Sequence, residues 1–289
     1  MFLKKIAPFV LMLFVGVSTG FAQSTSAPDL PAIPVDEIIR RFANKEKEFK
    51  IARAAYTYRQ DVKVQELDAN DRVTGEFNQV SDIIFDSSGK RTEKIVYAPA
   101  VTLKRIGMTA QDLQDLREIQ PFVLTSDDIQ KYNLKYSGKE KIDEIDCYVF
   151  EVSPRRIEKD QRYFEGKIWV DDQDLQIVKT YGKGVPDIRD KNGENLFPKF
   201  ETYREQVDNK YWFPTYTRAV DTLQFSSGPV RMRQLIKYAN YKKFEAAVKL
   251  TFGDVVDENG KSTGTAVDPT KKAPALDPNK NAKDPKKKP

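Results

Sequence analysis

The stretch YFEGKIWVDDQDLQIVKTYG, residues 163–182, decides the fold. Phe164, Gly166, Ile168 and Val170 alternate with polar neighbours, Asp171-Asp172 makes a turn, and Leu175 and Ile177 follow on the return. Side chains that alternate with period two belong to a strand with one face buried and one wet. Two such runs around a short acidic turn form a β-hairpin. Nothing in the stretch suits catalysis, so its role is to build a wall.

More of the same pattern lies on both sides. Upstream, NLKYSGKEKIDEIDCYVFEVSP places Tyr148, Phe150 and Val152 on one face. Further back, YTYRQDVKVQEL puts Tyr56, Tyr58, Val62 and Val64 on one face and Thr57, Arg59, Asp61 and Lys63 on the other. The turn DANDRVTGE and strands around 77–85 and 93–97 come next, with DSSGK between them. Downstream, after the insertion GKGVPDIRDKNGENLFP, come KFETYREQV, an Asp208-Asn209 turn, KYWFPTYTRAV and VRMRQLIKYANYKKF. About ten strands joined by short turns, with no helices alternating between them, make an antiparallel meander rather than a βαβ fold.

Two segments read as helical. VDEIIRRFANKEKEFKIARAA, 35–55, carries Ile39, Phe42, Glu46 and Phe49 on one side. TAQDLQDLREIQPFVLTSDDIQKY is an interlude between strands. Thr109 starts a short helix bearing Leu113 and Leu116, Pro121 ends it, and Ser126 or Asp127 caps a second turn. The expected class is α+β: a strongly curved antiparallel sheet, with an N-terminal helix and short helices covering its concave face.

The termini are of different character. MFLKKIAPFVLMLFVGVSTGFAQS has a basic start at Lys4 and Lys5, an apolar middle and a Gly20-Phe21-Ala22 site, the pattern of a signal peptide spanning 1–22. The apolar run is shorter than the ~20 residues a membrane helix needs. Residues 23–34 form a Pro/Ser-rich leader, the folded domain spans 35–252, and 253–289 is a Lys/Pro-rich tail expected to be disordered. The tail serves as a solvated linker or touches an anionic lipid or cell-wall polymer. The net charge of +5 comes from the two ends, with seven lysines against three aspartates in 265–289, so the body is near neutral. That argues against a nucleic-acid groove.

The chain has no histidine and one cysteine, Cys147, set in the apolar strand IDCYVFEV. The commonest general base and metal ligand is therefore missing. DDQD at 171–174 lies in a hairpin turn, and DKNGEN and DENGKSTG read as Asn-Gly turns rather than calcium loops. No Gly-x-Ser-x-Gly elbow lies within 35–252, and there is no glycine-rich phosphate loop. No catalytic residue, metal site or cofactor is expected.

Aromatics remain, 17 Phe and 13 Tyr, many on alternating strand positions. They either fill a core or, because a long curled sheet has only short helices to cover it, line an apolar cavity. Trp169 falls on the opposite face, among Glu165, Lys167 and Asp171, and Pro214 in Trp212-Phe213-Pro214 implies an edge or a bulge.

YTYRQ, YSGKEKIDEIDCYVFEVSP, YFEGKIWVDDQDLQIVKTYG and YWFPTYTRAV, following an amphipathic helix, together resemble the outer-membrane lipoprotein-sorting proteins of the LolA/LolB/RseB superfamily, in its looser LolA-like branch. The resemblance covers about 35–252 and implies a half-open barrel whose helices plug the concave side over a cavity for acyl chains. Tyr56, Tyr58, Val62, Val64, Tyr148, Phe150, Phe164, Ile168 and Val170 would line the wall, with Leu113 and Leu116 as the lid. The family's carrier latches its lid with a strand arginine, for which Arg59 is the nearest candidate by position. The lipid-anchored cysteine of LolB-type members is absent, and 251–289 is too short and polar for the second domain of RseB-type members. The implied protein is a monomeric, periplasmic carrier or binder of lipid or lipoprotein acyl chains. It would be peripheral at the outer membrane, with a membrane-bound envelope partner. Two other readings stay open: a stress sensor or interaction module that binds peptides, and an envelope scaffold whose concave face is packed solid.

Overall fold

The first helix has acidic residues in its first turn and basic ones in its last, Asp36 and Glu37 against Lys50 and Arg53, which suits the helix dipole. It forms α1, Val35–Arg53, in the computed structural model, which describes residues 31, 33–86, 90–191 and 193–244. The predicted signal, most of the leader, the tail, Asn192 and the DENGKSTG turn lie outside these residues. So does part of DSSGK.

The strands are β1 (Tyr56–Leu67), β2 (Val73–Phe85), β3 (Arg91–Tyr97), β4 (Tyr132–Ile142), β5 (Ile145–Pro154), β6 (Tyr163–Asp171) and β7 (Ile177–Val185). They continue as β8 (Ile188–Asp190), β9 (Gly193–Asn195), β10 (Phe200–Val207), β11 (Tyr211–Phe225) and β12 (Gly228–Lys243). Ten of them form one sheet in the order β3-β2-β1-β12-β11-β10-β7-β6-β5-β4, and β8 and β9 make a separate ribbon. Every neighbouring pair is antiparallel, and β3 and β4 are free edges, so the sheet does not close into a barrel. The α+β class and the strand count agree with the sequence reading.

The hairpin of 163–182 forms as β6 and β7, with a wider turn than two aspartates alone would give. Asp171 N–H donates to Gln176 C=O at 3.0 Å, and Leu175 N–H donates to Asp171 C=O at 3.0 Å. The Asp171 carboxylate accepts from Gln173 N–H at 2.9 Å, an Asx turn, and Leu175 takes a left-handed φ of 52°. Pro214 sits within β11, an interior strand, and the β10–β11 register slips at Arg204, opposite Pro214. Of the two alternatives for this proline, the bulge is the one found.

Between β3 and β4 lies the interlude. Thr109 caps α2 (Ala110–Gln114) in a capping box with Asp112, and the helix runs on into a π-helical turn, Asp115–Ile119. A 3-10 turn, Ile129–Lys131, leads into β4. α1 and the interlude cover the same sheet face. Ile38, Phe42 and Ala43 of α1 join Phe150, Phe164, Ile168 and Val170 in one cluster. Leu116 joins Val62, Val64, Met232 and Ile236 in another. Each fully buried side chain of this kind contributes roughly 1.5–3 kcal/mol. The other face has a small core of its own. Trp169 is buried there with Cys147, Val149 and Val178, and its indole N–H donates to Glu140 at 2.8 Å.

Candidate functional site: the covered face of the sheet

Strand parity places the predicted wall on one face. The even residues of β1, from Tyr56 to Glu66, are buried, while Arg59 points away and is exposed. Tyr58, Val62, Val64, Leu113 and Leu116 share one cluster. Tyr148, Phe150, Phe164, Ile168 and Val170 share the second. Tyr56 packs separately with Phe49 and Phe213, and its hydroxyl donates to Asp208 at 2.6 Å. Burial pushes the Tyr56 phenol up to about 12, with Asp208 adding to the shift.

A cavity of about 30 Å³ lies between the cluster of Val62 and Val64 and the interlude, room for about one water molecule. Val64, Leu116, Leu223 and Met232 supply its apolar wall, with Asp112 and Asp115 at its margin. Of the predicted wall and lid residues, Val64 and Leu116 reach it, while the other nine are engaged in packing elsewhere.

A line of buried polar side chains separates the two clusters. The Thr202 hydroxyl donates to Gln120 C=O at 2.8 Å and meets the Thr217 hydroxyl at 2.8 Å, which in turn lies 3.1 Å from the Tyr238 hydroxyl. Gln234 Nε2 donates to Gln120 Oε1 at 2.6 Å. Gln120 closes the π-helical turn, so this network ties the interlude to β10, β11 and β12.

Two ion pairs fasten the cover. Arg162 donates to both oxygens of Asp115 at 2.9 and 2.8 Å, with both side chains buried. Arg204 lies 3.1 Å from Glu46, both fully buried, and also donates to Phe122 C=O. Glu46 accepts from Ile177 N–H at 3.0 Å, so one carboxylate joins α1, β7 and β10. Burial raises the Asp112 and Asp115 carboxyls, but each is already engaged: Asp112 accepts from Thr109 N–H at 2.8 Å, and Asp115 accepts from Arg162. No group of three or more His, Cys, Asp or Glu able to hold a metal exists among the described residues.

Arg59, the latch candidate by position, makes a bidentate pair with Asp82 on neighbouring β2, at 2.8 and 3.2 Å on the exposed face. The arginines that bridge cover and sheet, Arg162 and Arg204, were not among the predicted residues. One signal was available: Glu46 sits in the apolar stripe of α1, and a carboxylate there requires a buried cation. Arg204 follows Phe200 and Thr202 on the inward parity of its strand.

No family model matches the chain, and no curated protein matches it either. The chain is similar in structure to a DUF1329 family protein from Desulfovibrio piger, at 16% identity and TM-score 0.39, over 75% of this chain and 95% of that one. It is similar to a LolA superfamily protein from Nitrosomonas europaea, at 14% identity and TM-score 0.35, over 74% and 95%. A domain named for outer membrane lipoprotein sorting, from Vibrio parahaemolyticus, matches at 14% identity and TM-score 0.33, over 74% and 94%.

Proposed function

We propose that this is an exported, non-catalytic protein of the cell envelope that holds a lipid or lipoprotein acyl chain against the covered face of its sheet. The observation behind this reading is the apolar cavity beside Val64, Leu116, Leu223 and Met232, closed by a short helical segment rather than by the sheet itself. At about 30 Å³ it holds no chain as it stands, so binding requires the interlude to move. Each CH₂ buried then contributes about 0.8 kcal/mol, and a chain of ordinary length repays the loss of the interlude's contacts.

A second reading has its own support. The buried Glu46–Arg204 pair and the threonine–glutamine network suit a face that is packed for good, which describes a scaffold. Native mass spectrometry of protein purified from the periplasm without detergent separates the two. Extra mass released by organic solvent as phospholipid or acylated peptide is the result expected of a carrier. A clean apo mass with no uptake of added fatty acid or lipopeptide would leave the scaffold.

A further inference from the structure

A second concavity, of about 410 Å³, opens beside the cover, between the end of α1, the π-helical turn and the loop joining β5 to β6. Its floor is apolar, formed by Ile119, Phe122 and Tyr163. Its walls carry five cationic side chains, Lys50, Arg53, Arg117, Lys131 and Arg162, against three carboxylates, Glu118, Asp128 and Glu158.

Most of these charges are already used. Asp128 lies 2.8 Å from Lys131 and 3.6 Å from Lys50. Arg162 is committed to Asp115, and Glu118 accepts from Gln114 at 3.0 Å. Arg53 and Arg117 make no hydrogen bond or ion pair among the described residues. Arg53 is the more telling, because its Nε is buried without a partner. Its guanidinium lies 5.8 Å from the Phe49 ring centre and 5.9 Å from that of Phe85. The nearby carboxylate, Glu46, is taken by Arg204. Burial pushes the Arg53 pKa down, as expected of a cation that lacks a counter-charge. A partly buried guanidinium with an idle donor is costly unless something completes it.

We infer that this groove is an anion site for a phosphate-bearing group, with Arg53 and Arg117 as the two cations that hold it. Guanidinium forks from two separate elements suit a tetrahedral anion with several acceptor oxygens. The apolar floor leaves room for the carbon skeleton of a phosphodiester. Glu158 faces the same groove and disfavours highly charged anions, which selects a monoanionic diester over a dianion. The site goes beyond the acyl-chain reading and does not depend on it. The phosphate comes either from a lipid head group or from a free phosphate compound.

The test is isothermal titration of the full chain at low salt with inorganic phosphate and, separately, with short-chain phosphatidylglycerol below its micelle concentration. Arg117→Gln, at an exposed position, preserves the fold and is expected to weaken binding about tenfold. Arg53→Gln is expected to do at least as much, with its melting temperature checked alongside. Lys199→Gln, away from the groove, is expected to change nothing. Arginine-dependent binding of the lipid alone assigns a head-group site, and equal binding of inorganic phosphate assigns a free-phosphate site. No binding of either probe, or binding indifferent to Arg117→Gln, overturns the inference. Decanoate uptake measured on the same proteins tests the acyl-chain reading separately: normal uptake without phosphate binding refutes the anion site alone.

Discussion

Glu46 and Arg204 show how much one residue pair can decide. Their side chains are fully buried and face each other at 3.1 Å, so each compensates the desolvation of the other. Removing one partner strands a buried charge, at a cost of about 3–5 kcal/mol. Arg204→Met should therefore lower the urea midpoint sharply, while the double replacement Glu46→Leu with Arg204→Met recovers most of the loss. A single variant as stable as the parent would mean that the pair holds nothing together. Cys147 is the opposite case, a buried group with no ionic partner, its thiol donating only to Ile145 C=O at 3.5 Å. Burial first, then the Asp171 charge, pushes its thiol from the ordinary 9.0 up to about 12. The native state keeps a proton that the unfolded chain releases near 9, so stability is unaffected below that pH and declines as pH rises toward 12. Iodoacetamide at pH 8 should modify Cys147 only as fast as the protein unfolds, and rapid alkylation of the native state would contradict this burial.

At the scale of elements, the proposed binding rests on movement of the interlude. α2 is five residues long, and the capping box at Thr109 with the Arg162–Asp115 pair accounts for much of its hold. Arg162→Met should raise hydrogen exchange across 110–122 and leave the amides of β1 and β12 protected. Uniform loss of protection would mean instead that cover and sheet unfold as one unit. Thr109→Ala should have a milder effect in the same place, about 1 kcal/mol. The elements also show what could be read from sequence. Strand alternation gave the sheet and its faces, and Thr109 gave the start of the short helix. The π-helical turn carries no local signature, because its register is set by Gln120 engaging Gln234 on β12 and Asp115 engaging Arg162 in the β5–β6 loop, both distant in sequence. The threonine line of β10 and β11 was equally hidden: Thr202 and Thr217 look like ordinary strand polar residues until pairing brings them together. Trp169 falls among charged residues on its own strand yet is buried: Glu140 of β4, two strands away, accepts its indole N–H, and Lys179 of adjacent β7 lies over its ring.

At the scale of the whole molecule, the polar line divides the covered face into two apolar lobes. A chain bound under the interlude would occupy the lobe of Val64, Leu223 and Met232, where the cavity already lies. The lobe of Phe42, Phe150 and Phe164 is filled by α1 and would serve only as its seat. Truncation separates the two roles. Met232→Ala enlarges the existing cavity and Phe150→Ala opens one under α1, and their stability costs overlap, about 2–5 and 3–5 kcal/mol. If the acyl chain enters beneath the interlude, Met232→Ala should raise the amount of decanoate bound per folded molecule, and Phe150→Ala should leave it unchanged. Native mass spectrometry at matched folded fractions reads both. Equal gains in the two variants would mean that decanoate simply fills whatever void is made, and a gain confined to Phe150→Ala would move the binding lobe to the seat of α1.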